Sequence, residues 1–415
     1  MRTINLLCLL LALMISSCAS SKKTTTSNEP NPMDSMSRQE IKDDLTKRLQ
    51  QISNANTKQA AFTAALMDKD SVYYIESFGN LSENSNLSFT KNTVQPIGSI
   101  SKTLAGVSLM KGVELGYFKL DDDINQYLNF KIQNPYHPNA KIRIKDLSTH
   151  TSSLKYTNDY DRTYLFNEKL PVAWAEPLKG KEKKYALKEL NMVNSNSRIS
   201  MEDFVKNIYS EGGKWYSKKN FLKKIPGTKY TYCNENAAIA ALIIEKTSGL
   251  DYKDFVKKYI LEPSGMTNTS WSLDDYAFEE RGQLYYYKHP IPNYHLITYP
   301  DGGLVTSVSD FSKYFMNLIN GYFGQDNIIS AESYKTLFKE HHREKNEASG
   351  IFMELSNGLV GHNGGDPGIA TFAYFDENTG EGLVIFFKAE LNGELYKAVG
   401  KLRKVHKYFS AKQLK

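Results

Sequence analysis

The stretch that most constrains this chain runs from Gln95 to Gly116, QPIGSISKTLAGVSLMKGVELG. Pro96 and Gly98 interrupt the backbone just before Ser99, and the residues that follow are apolar on nearly every face. A helix that is apolar all round has to be buried, so the pattern predicts a central helix whose first turn carries Ser99 and, three residues on, Lys102. That spacing sets hydroxyl and ammonium on one helical face, with Cβ atoms about 5–6 Å apart. A serine hydroxyl is a weak nucleophile until a base takes its proton, and a lysine at its ordinary pKa of about 10.4 is no base at neutral pH. Burial disfavours the charged ammonium, and the positive end of the helix dipole beside Ser99 favours a developing alkoxide. The ordinary alternative is an N-cap serine with a solvated lysine, which the SxxK spacing alone does not exclude.

The rest of the chain is long enough to bury such a helix. It has 415 residues, 40% hydrophobic and 24% charged, a globular composition sufficient for one large or two ordinary domains. The net charge of +6 is dispersed among nearly as many acids, so no nucleic-acid partner is expected. Met1 to Ser17 reads as a signal peptide: Arg2 gives the positive start, Ile4 to Ile15 is apolar apart from Asn5, and ISSC closes the segment at Cys18. The apolar run is too short to span a bilayer. ISSC resembles a bacterial lipoprotein box, which implies a lipid on Cys18 and the periplasmic side of an envelope membrane, the outer one by preference. Cys8 then leaves with the signal and Cys18 is blocked, so Cys233 remains alone and no intrachain disulfide is expected.

Residues 19 to about 36 lack large apolar side chains except Met33 and Met36 and read as a disordered tether. The folded unit is expected to start at Ser37, which forms a capping box with Glu40 ahead of a helical pattern through Ile41, Leu45, Leu49 and Ile52. Ala61 to Leu66 and Val72 to Phe78 read as a hairpin. Asp121 to Asp123 read as a helix start. Residues 155 to about 225, rich in Tyr, Asn and Lys, read as an insertion of helices and loops in which Ser200 and Asp203 cap one helix. Further helices are predicted over Asn236 to Lys246, ending at Gly249, over Asp251 to Leu261, and through Phe311, Phe315 and Leu318. Ile351 to Leu355, Gly358 to His362, Ala370 to Phe375 and Leu383 to Phe387 read as successive strands, and Leu395 to Phe409 as a closing amphipathic helix. Strands near both chain ends with helices between imply an α+β fold: one sheet from residues 37–98 and 303–415, and a helical region over 99–302.

Chemistry at Ser99 needs partners from elsewhere, and two islands offer them. In PGTKYTYCNENAA, Tyr232 and Asn234 precede a helix; in GLVGHNGGDPG, His362 ends a strand and Gly364 and Gly365 leave backbone amides unobstructed. Either could be ordinary by itself, Tyr232 as a core aromatic and the second island as a glycine-rich turn.

In order, SISK at 99–102, YCN at 232–234 and HNGG at 362–365 resemble the three motifs of the serine β-lactamase and penicillin-binding protein superfamily. The likeness is to its class C branch, which includes esterases, DD-carboxypeptidases and D-aminopeptidases. Flanking stretches agree: KDLSTHTSSL at 145–154 is similar to the family's LLTHTSGL segment, LEPSGMTNTSW at 261–271 to its LEPLGM segment, and DGGLVTSVSDFSKYF at 301–315 to its GGL segment. The resemblance covers most of residues 60–390. It implies that Ser99 is the acylated nucleophile, Lys102 its proton relay and Tyr232 the general base. Asn234 would orient the substrate amide and Lys102, and the backbone N–H groups of Ser99 and Gly365 would form the oxyanion hole. It further implies a monomer acting on a small or peptide-like substrate, with no metal or other cofactor.

The departures bear on specificity. His362 stands where β-lactamases carry lysine, and an imidazole attracts a substrate carboxylate less than a fixed ammonium does. Cys233 replaces the usual serine, and Ser153 and Ser264 replace a usual glycine and leucine. Cys233 is expected to point away from the site, and His150 to be a hydrogen-bonded core residue. The expectation is therefore an envelope serine hydrolase acting as an esterase or as a hydrolase of D-amino-acid or other peptides. The alternatives are a β-lactamase or penicillin-binding carboxypeptidase, and a catalytically silent binding protein on the same fold.

Overall fold

A computed structural model describes residues 37–55, 61–286, 289–344 and 347–389. The signal segment, Cys18, the tether and the expected closing helix at Leu395 to Phe409 lie outside the described residues.

The first helix, α1 (Arg38–Ala55), begins as expected: the Ser37 amide donates to Glu40 Oε2 at 2.7 Å and the Glu40 amide returns to Ser37 Oγ at 3.3 Å. The chain then forms the hairpin β1 (Ala61–Met67) and β2 (Val72–Phe78), and enters the central helix α2 (Ser101–Glu114). The middle of the chain supplies α3 (Gly180–Asn194), α4 (Met201–Tyr209) and α5 (Glu235–Ser248). After α6 (Val308–Tyr322) and α7 (Ala331–Phe338) come β3 (His342–Glu344), β4 (Glu347–Ser349), β5 (Glu354–Ser356), β6 (Leu359–Asp366), β7 (Ile369–Asp376) and β8 (Gly382–Lys388). These eight strands form one antiparallel sheet in the order β3-β4-β5-β6-β7-β8-β1-β2, so strands from the two chain ends meet at the β8–β1 pair, where Phe62 lies opposite Phe387.

Both faces of the sheet are covered, which is why β1 reads AFTAALM and is buried at every position. Phe62, Ala64 and Leu66 point to the layer that includes Leu45 and Leu49 of α1. Ala65 and Met67 point to the other layer, where Phe311 of α6 meets Phe386 of β8 at 5.5 Å between ring centres. α2 and α5 lie in that second layer and are buried along almost their whole length.

Local structure follows local sequence signals at several element ends. Ser200 Oγ accepts from the Asp203 amide at the start of α4, and Gly249 ends α5 in the left-handed conformation (φ 73°) that a residue without a Cβ adopts at little cost. Asp123 caps a short 3₁₀ turn rather than a full helix. The segment after Asp251 is helical over Tyr252–Val256 and widens into a π-turn over Lys257–Leu261.

Three expectations need correction. Ser99 sits in a 3₁₀ turn, Gly98–Ile100, that leads into α2, because Gly98 has φ 54° and tightens the entry. The strand expected at Ile351–Leu355 is only Glu354–Ser356; Ile351, Phe352 and Met353 are instead buried in the core against the helices. β6 does not end at His362 but runs on through both glycines to Asp366, with Gly364 paired to Thr371 and Gly365 to Ala370.

Candidate active site

Four segments distant in sequence converge on Ser99. The Gln95–Pro96 bridge to Val305–Thr306 and the hydrogen bond from the Ile97 amide to the Leu304 carbonyl at 3.0 Å fix the approach to the 3₁₀ turn beside residues 301–306. Ser99 is half-buried while its neighbours Gly98 and Ile100 are buried, so its side chain is what the turn leaves reachable. One helical step on, Lys102 is wholly buried. Its Nζ donates to Ser99 Oγ at 3.0 Å and to the backbone carbonyl of Asp301 at 2.6 Å.

Tyr232 arrives on the segment just before α5. Its hydroxyl donates to Ser99 Oγ at 2.8 Å, and Lys102 Nζ lies 5.2 Å from the centre of its ring. His150 holds the far side of the ring, with ring centres 4.5 Å apart. The His150 Nδ1 accepts from the Cys233 amide at 3.3 Å, and burial with Lys102 and His362 nearby keeps its imidazole well below the usual range and neutral. His150 has φ 55°, and Ser153, the residue in place of the family's usual glycine, has φ 66°. Cys233 is fully buried and turned away as expected, with Sγ donating to Glu235 Oε2 at 3.2 Å.

Asn234 is 5% exposed, and its Oδ1 is buried without a hydrogen-bond partner. The expectation that it orients Lys102 is not met by that oxygen, since the Asp301 carbonyl holds the ammonium instead.

β6 passes so close to Ser99 that only glycine fits at two points. A Cβ on Gly98 would lie 2.9 Å from the Gly365 nitrogen, and a Cβ on Gly364 would lie 2.2 Å from the Ile97 carbonyl oxygen and 3.0 Å from the Ser99 nitrogen. The Ser99 and Gly365 amides are therefore neighbours, while a Cβ on Gly365 itself would meet open space. Two adjacent backbone donors beside a nucleophile, with room in front, are what a tetrahedral oxyanion requires.

His362 is 3% exposed. Its Nδ1 donates to the Asn363 carbonyl at 2.5 Å, its Nε2 lies 3.9 Å from Glu354 Oε1, and its ring is 6.4 Å from that of Tyr232. Burial lowers its pKa more than Glu354 raises it, so it stands as a neutral imidazole on the strand that carries the oxyanion donor. Among the described residues no group of three or more His, Cys, Asp or Glu side chains is arranged to hold a metal ion.

The fold also brings here two acids that no motif marks as functional. Asp301, in the DGGL stretch, is 1% exposed, and Asp366 follows Gly365 directly. Both lie in glycine-rich stretches, and neither has a spacing that announces it.

Known proteins resemble this chain over most of its length. Residues 46–404 match the Beta-lactamase family. Penicillin-binding protein 4* of Bacillus subtilis (strain 168) is 24% identical over 357 residues, covering 80% of this chain and 69% of its own. The putative penicillin-binding protein PbpX of the same organism is 23% identical over 350 residues, covering 82% and 73%. Among solved structures, the octameric penicillin-binding protein homologue from Pyrococcus abyssi superposes with a TM-score of 0.67 at 21% identity, covering 89% of this chain and 77% of that one. D-amino acid amidase from Ochrobactrum anthropi SV3 gives 0.65 at 18%, covering 88% and 99%, and a class C beta-lactamase gives 0.64 at 16%, covering 90% and 98%. With the three motifs assembled around one serine and the family matched over most of its length, the chain belongs to the Beta-lactamase family, with the β-lactamase/transpeptidase-like α+β fold.

Proposed function

We propose that this chain is an envelope-anchored serine hydrolase that opens an ester or amide bond through an acyl-enzyme on Ser99. One observation carries the reading: Lys102 Nζ and the Tyr232 hydroxyl both converge on Ser99 Oγ, at 3.0 and 2.8 Å. As Ser99 Oγ bonds to the acyl carbon, its proton passes to the Tyr232 oxygen in the phenolate form that Lys102 favours. The same proton then goes to the leaving amine or alcohol as the C–N or C–O bond breaks. Water repeats the sequence on the acyl-enzyme, giving up a proton to Tyr232 and releasing the acid while Ser99 recovers its hydroxyl. The amides of Ser99 and Gly365 stabilise the oxyanion at both stages, and loss of one such donor typically costs about 2.7–4 kcal/mol of transition-state stabilisation.

His362 bears on the substrate. A neutral, buried imidazole offers little to a substrate carboxylate, so β-lactams that are held by that group are disfavoured relative to simple esters, amides and peptides. The D-amino acid amidase and penicillin-binding proteins among the similar proteins support an amide or peptide-like substrate. A panel of p-nitrophenyl esters, D-alanyl-D-alanine peptides and nitrocefin tests this. Turnover of an ester or peptide above that of nitrocefin is expected, and nitrocefin turned over far faster than the others would overturn the preference.

Anchoring rests on Met1 to Ser17 and the ISSC box at Cys18. The full chain expressed in a Gram-negative host should fractionate with membranes, and Cys18→Ala should release it to the soluble fraction. Equal membrane association of the two would remove the lipid from the account.

A further inference from the structure

The wholly buried Lys102 ammonium donates to two neutral oxygens, Ser99 Oγ at 3.0 Å and the Asp301 backbone carbonyl at 2.6 Å. Burial drives a lysine toward the neutral amine, and a nearby negative charge opposes that drive. The residue that supplies the carbonyl also carries a carboxyl, and it is as deeply buried as the lysine.

That carboxyl is fixed by a phenol and not by a cation. The Tyr160 hydroxyl donates to Asp301 Oδ1 at 2.7 Å. Burial, with Asp301 and other acids nearby, holds the Tyr160 phenol well above its ordinary range, so its hydroxyl stays a donor. A second acid stands next to the first, since a Cβ on Gly302 would lie 3.1 Å from Asp366 Oδ2. The Tyr164 hydroxyl donates to Asp366 Oδ1 at 2.5 Å, and the rings of Tyr160 and Tyr164 meet edge to face at 6.2 Å. Neither acid forms a salt bridge among the described residues.

Lys102 is the cation both acids feel. Burial raises Asp301 and pushes Asp366 up to about 7, and the ammonium pulls each back. After burial, the same ammonium helps to lower His150 and His362. Glu235, at the start of α5, is pushed up to about 7 by burial, with Asp301 adding to it. The titratable groups around the ammonium are therefore Asp301, Asp366 and Glu235 on the acidic side, and Tyr232 and the two neutral imidazoles on the other. Of the three acids, Asp301 is the one whose own backbone holds Lys102.

We propose that Asp301 is a positioning residue for Lys102: its carbonyl fixes the ammonium beside Ser99, its carboxylate is the countercharge that keeps the ammonium charged, and Tyr160 fixes that carboxylate. The division of roles at the nucleophile follows. A charged Lys102 has no lone pair with which to take the Ser99 proton, so the proton goes to Tyr232. Without the Asp301 charge, Lys102 moves toward the amine and competes for it. The consequence for turnover rests on the acyl-enzyme at Ser99, whereas the pairing of Asp301 with Lys102 does not.

Two measurements test this. The first is a double-mutant cycle on thermal stability between Lys102→Met and Asp301→Asn, which keeps the carbonyl and the side-chain shape. Asp301→Asn should lower the melting temperature in the wild-type background, and leave it unchanged or raised in Lys102→Met, where it removes a buried charge that has lost its partner. An equal drop in both backgrounds overturns the proposal. If Asp301→Asn alone fails to fold, a folded double variant supports the pairing and an unfolded one overturns it. The second is the pH dependence of kcat/KM for p-nitrophenyl acetate. Loss of a negative charge makes every nearby proton easier to lose, so the limbs of the profile should move to lower pH in Asp301→Asn, by about 1 unit. A folded Asp301→Asn whose profile drops in height without moving overturns the role of Asp301 at Lys102. A burst of p-nitrophenol from the wild type reports the acyl-enzyme separately; its absence sinks the acyl-enzyme, and the stability cycle still decides the pair.

Discussion

The hydroxyl of Tyr232 donates to Ser99 Oγ at 2.8 Å across 133 residues of sequence. Nothing in either segment alone sets that distance. α2 places Ser99 and Lys102, α5 places Tyr232 at its approach, and the two helices share one buried layer beneath the sheet.

Because the Tyr232 ring packs against His150, with ring centres 4.5 Å apart, as well as bonding to Ser99, Tyr232→Phe should keep its place and lose only the oxygen. General-base groups contribute typically about 10²–10⁴-fold, so kcat should fall by that factor. The far-UV circular dichroism and melting temperature should stay close to wild type. Undiminished kcat would remove Tyr232 from proton transfer.

The two glycines of β6 should respond in opposite ways. Gly364→Ala forces a Cβ to within 2.2 Å of the Ile97 carbonyl and 3.0 Å of the Ser99 amide, so turnover should be lost through displacement of the oxyanion donors. Gly365→Ala meets open space and keeps its N–H, so it should fold and retain activity on small esters. Steady-state kinetics on p-nitrophenyl acetate separates them, and equal activities would contradict this placement of β6.

Two buried groups outside the reaction set opposite slopes of stability against pH. Burial depresses Lys388 to about 7 from its ordinary 10.5, so between those values the unfolded chain binds more protons than the native one and stability rises with pH. Burial raises Glu235 to about 7 from 4.5, so the native state holds the extra proton and stability falls as pH climbs from 4.5 through 7. Urea unfolding across pH 4.5–10 should show that Lys388→Met flattens the alkaline slope and Glu235→Gln the acidic one. A variant whose curve runs parallel to wild type would refute the corresponding assignment.

Ser153 occupies a left-handed backbone position at φ 66°, and its Oγ accepts from Asn134 Nδ2 at 2.8 Å. Ser153→Gly relieves roughly 1 kcal/mol of backbone strain and gives up a hydrogen bond worth roughly the same. The variant should melt within a few degrees of wild type, whereas Ser153→Val, with no hydrogen bond and a branched Cβ, should melt clearly lower.

Much of this was legible because it is local. The caps at Ser37 and Ser200, the glycine stop at Gly249 and the alternating strands each depend on residues a few positions apart. The nucleophile, its lysine, the tyrosine and the oxyanion glycines were legible as ordered motifs that resemble a family. Asp301 and Asp366 were not, since a carboxylate in a glycine-rich stretch carries no sign of burial. Their partnership depends on Tyr160 and Tyr164, more than 130 residues away. The end of β6 was misplaced for a similar reason: glycines usually mark a turn, and here they let a strand run against Ser99.

The central claim is that Ser99 is an activated nucleophile, and covalent labelling by a fluorophosphonate probe tests it most directly. The folded wild-type protein should gain one adduct, located by peptide mass spectrometry on Ser99, and Ser99→Ala should gain none. A folded wild type that takes no label, or a label that persists in Ser99→Ala, would contradict the account.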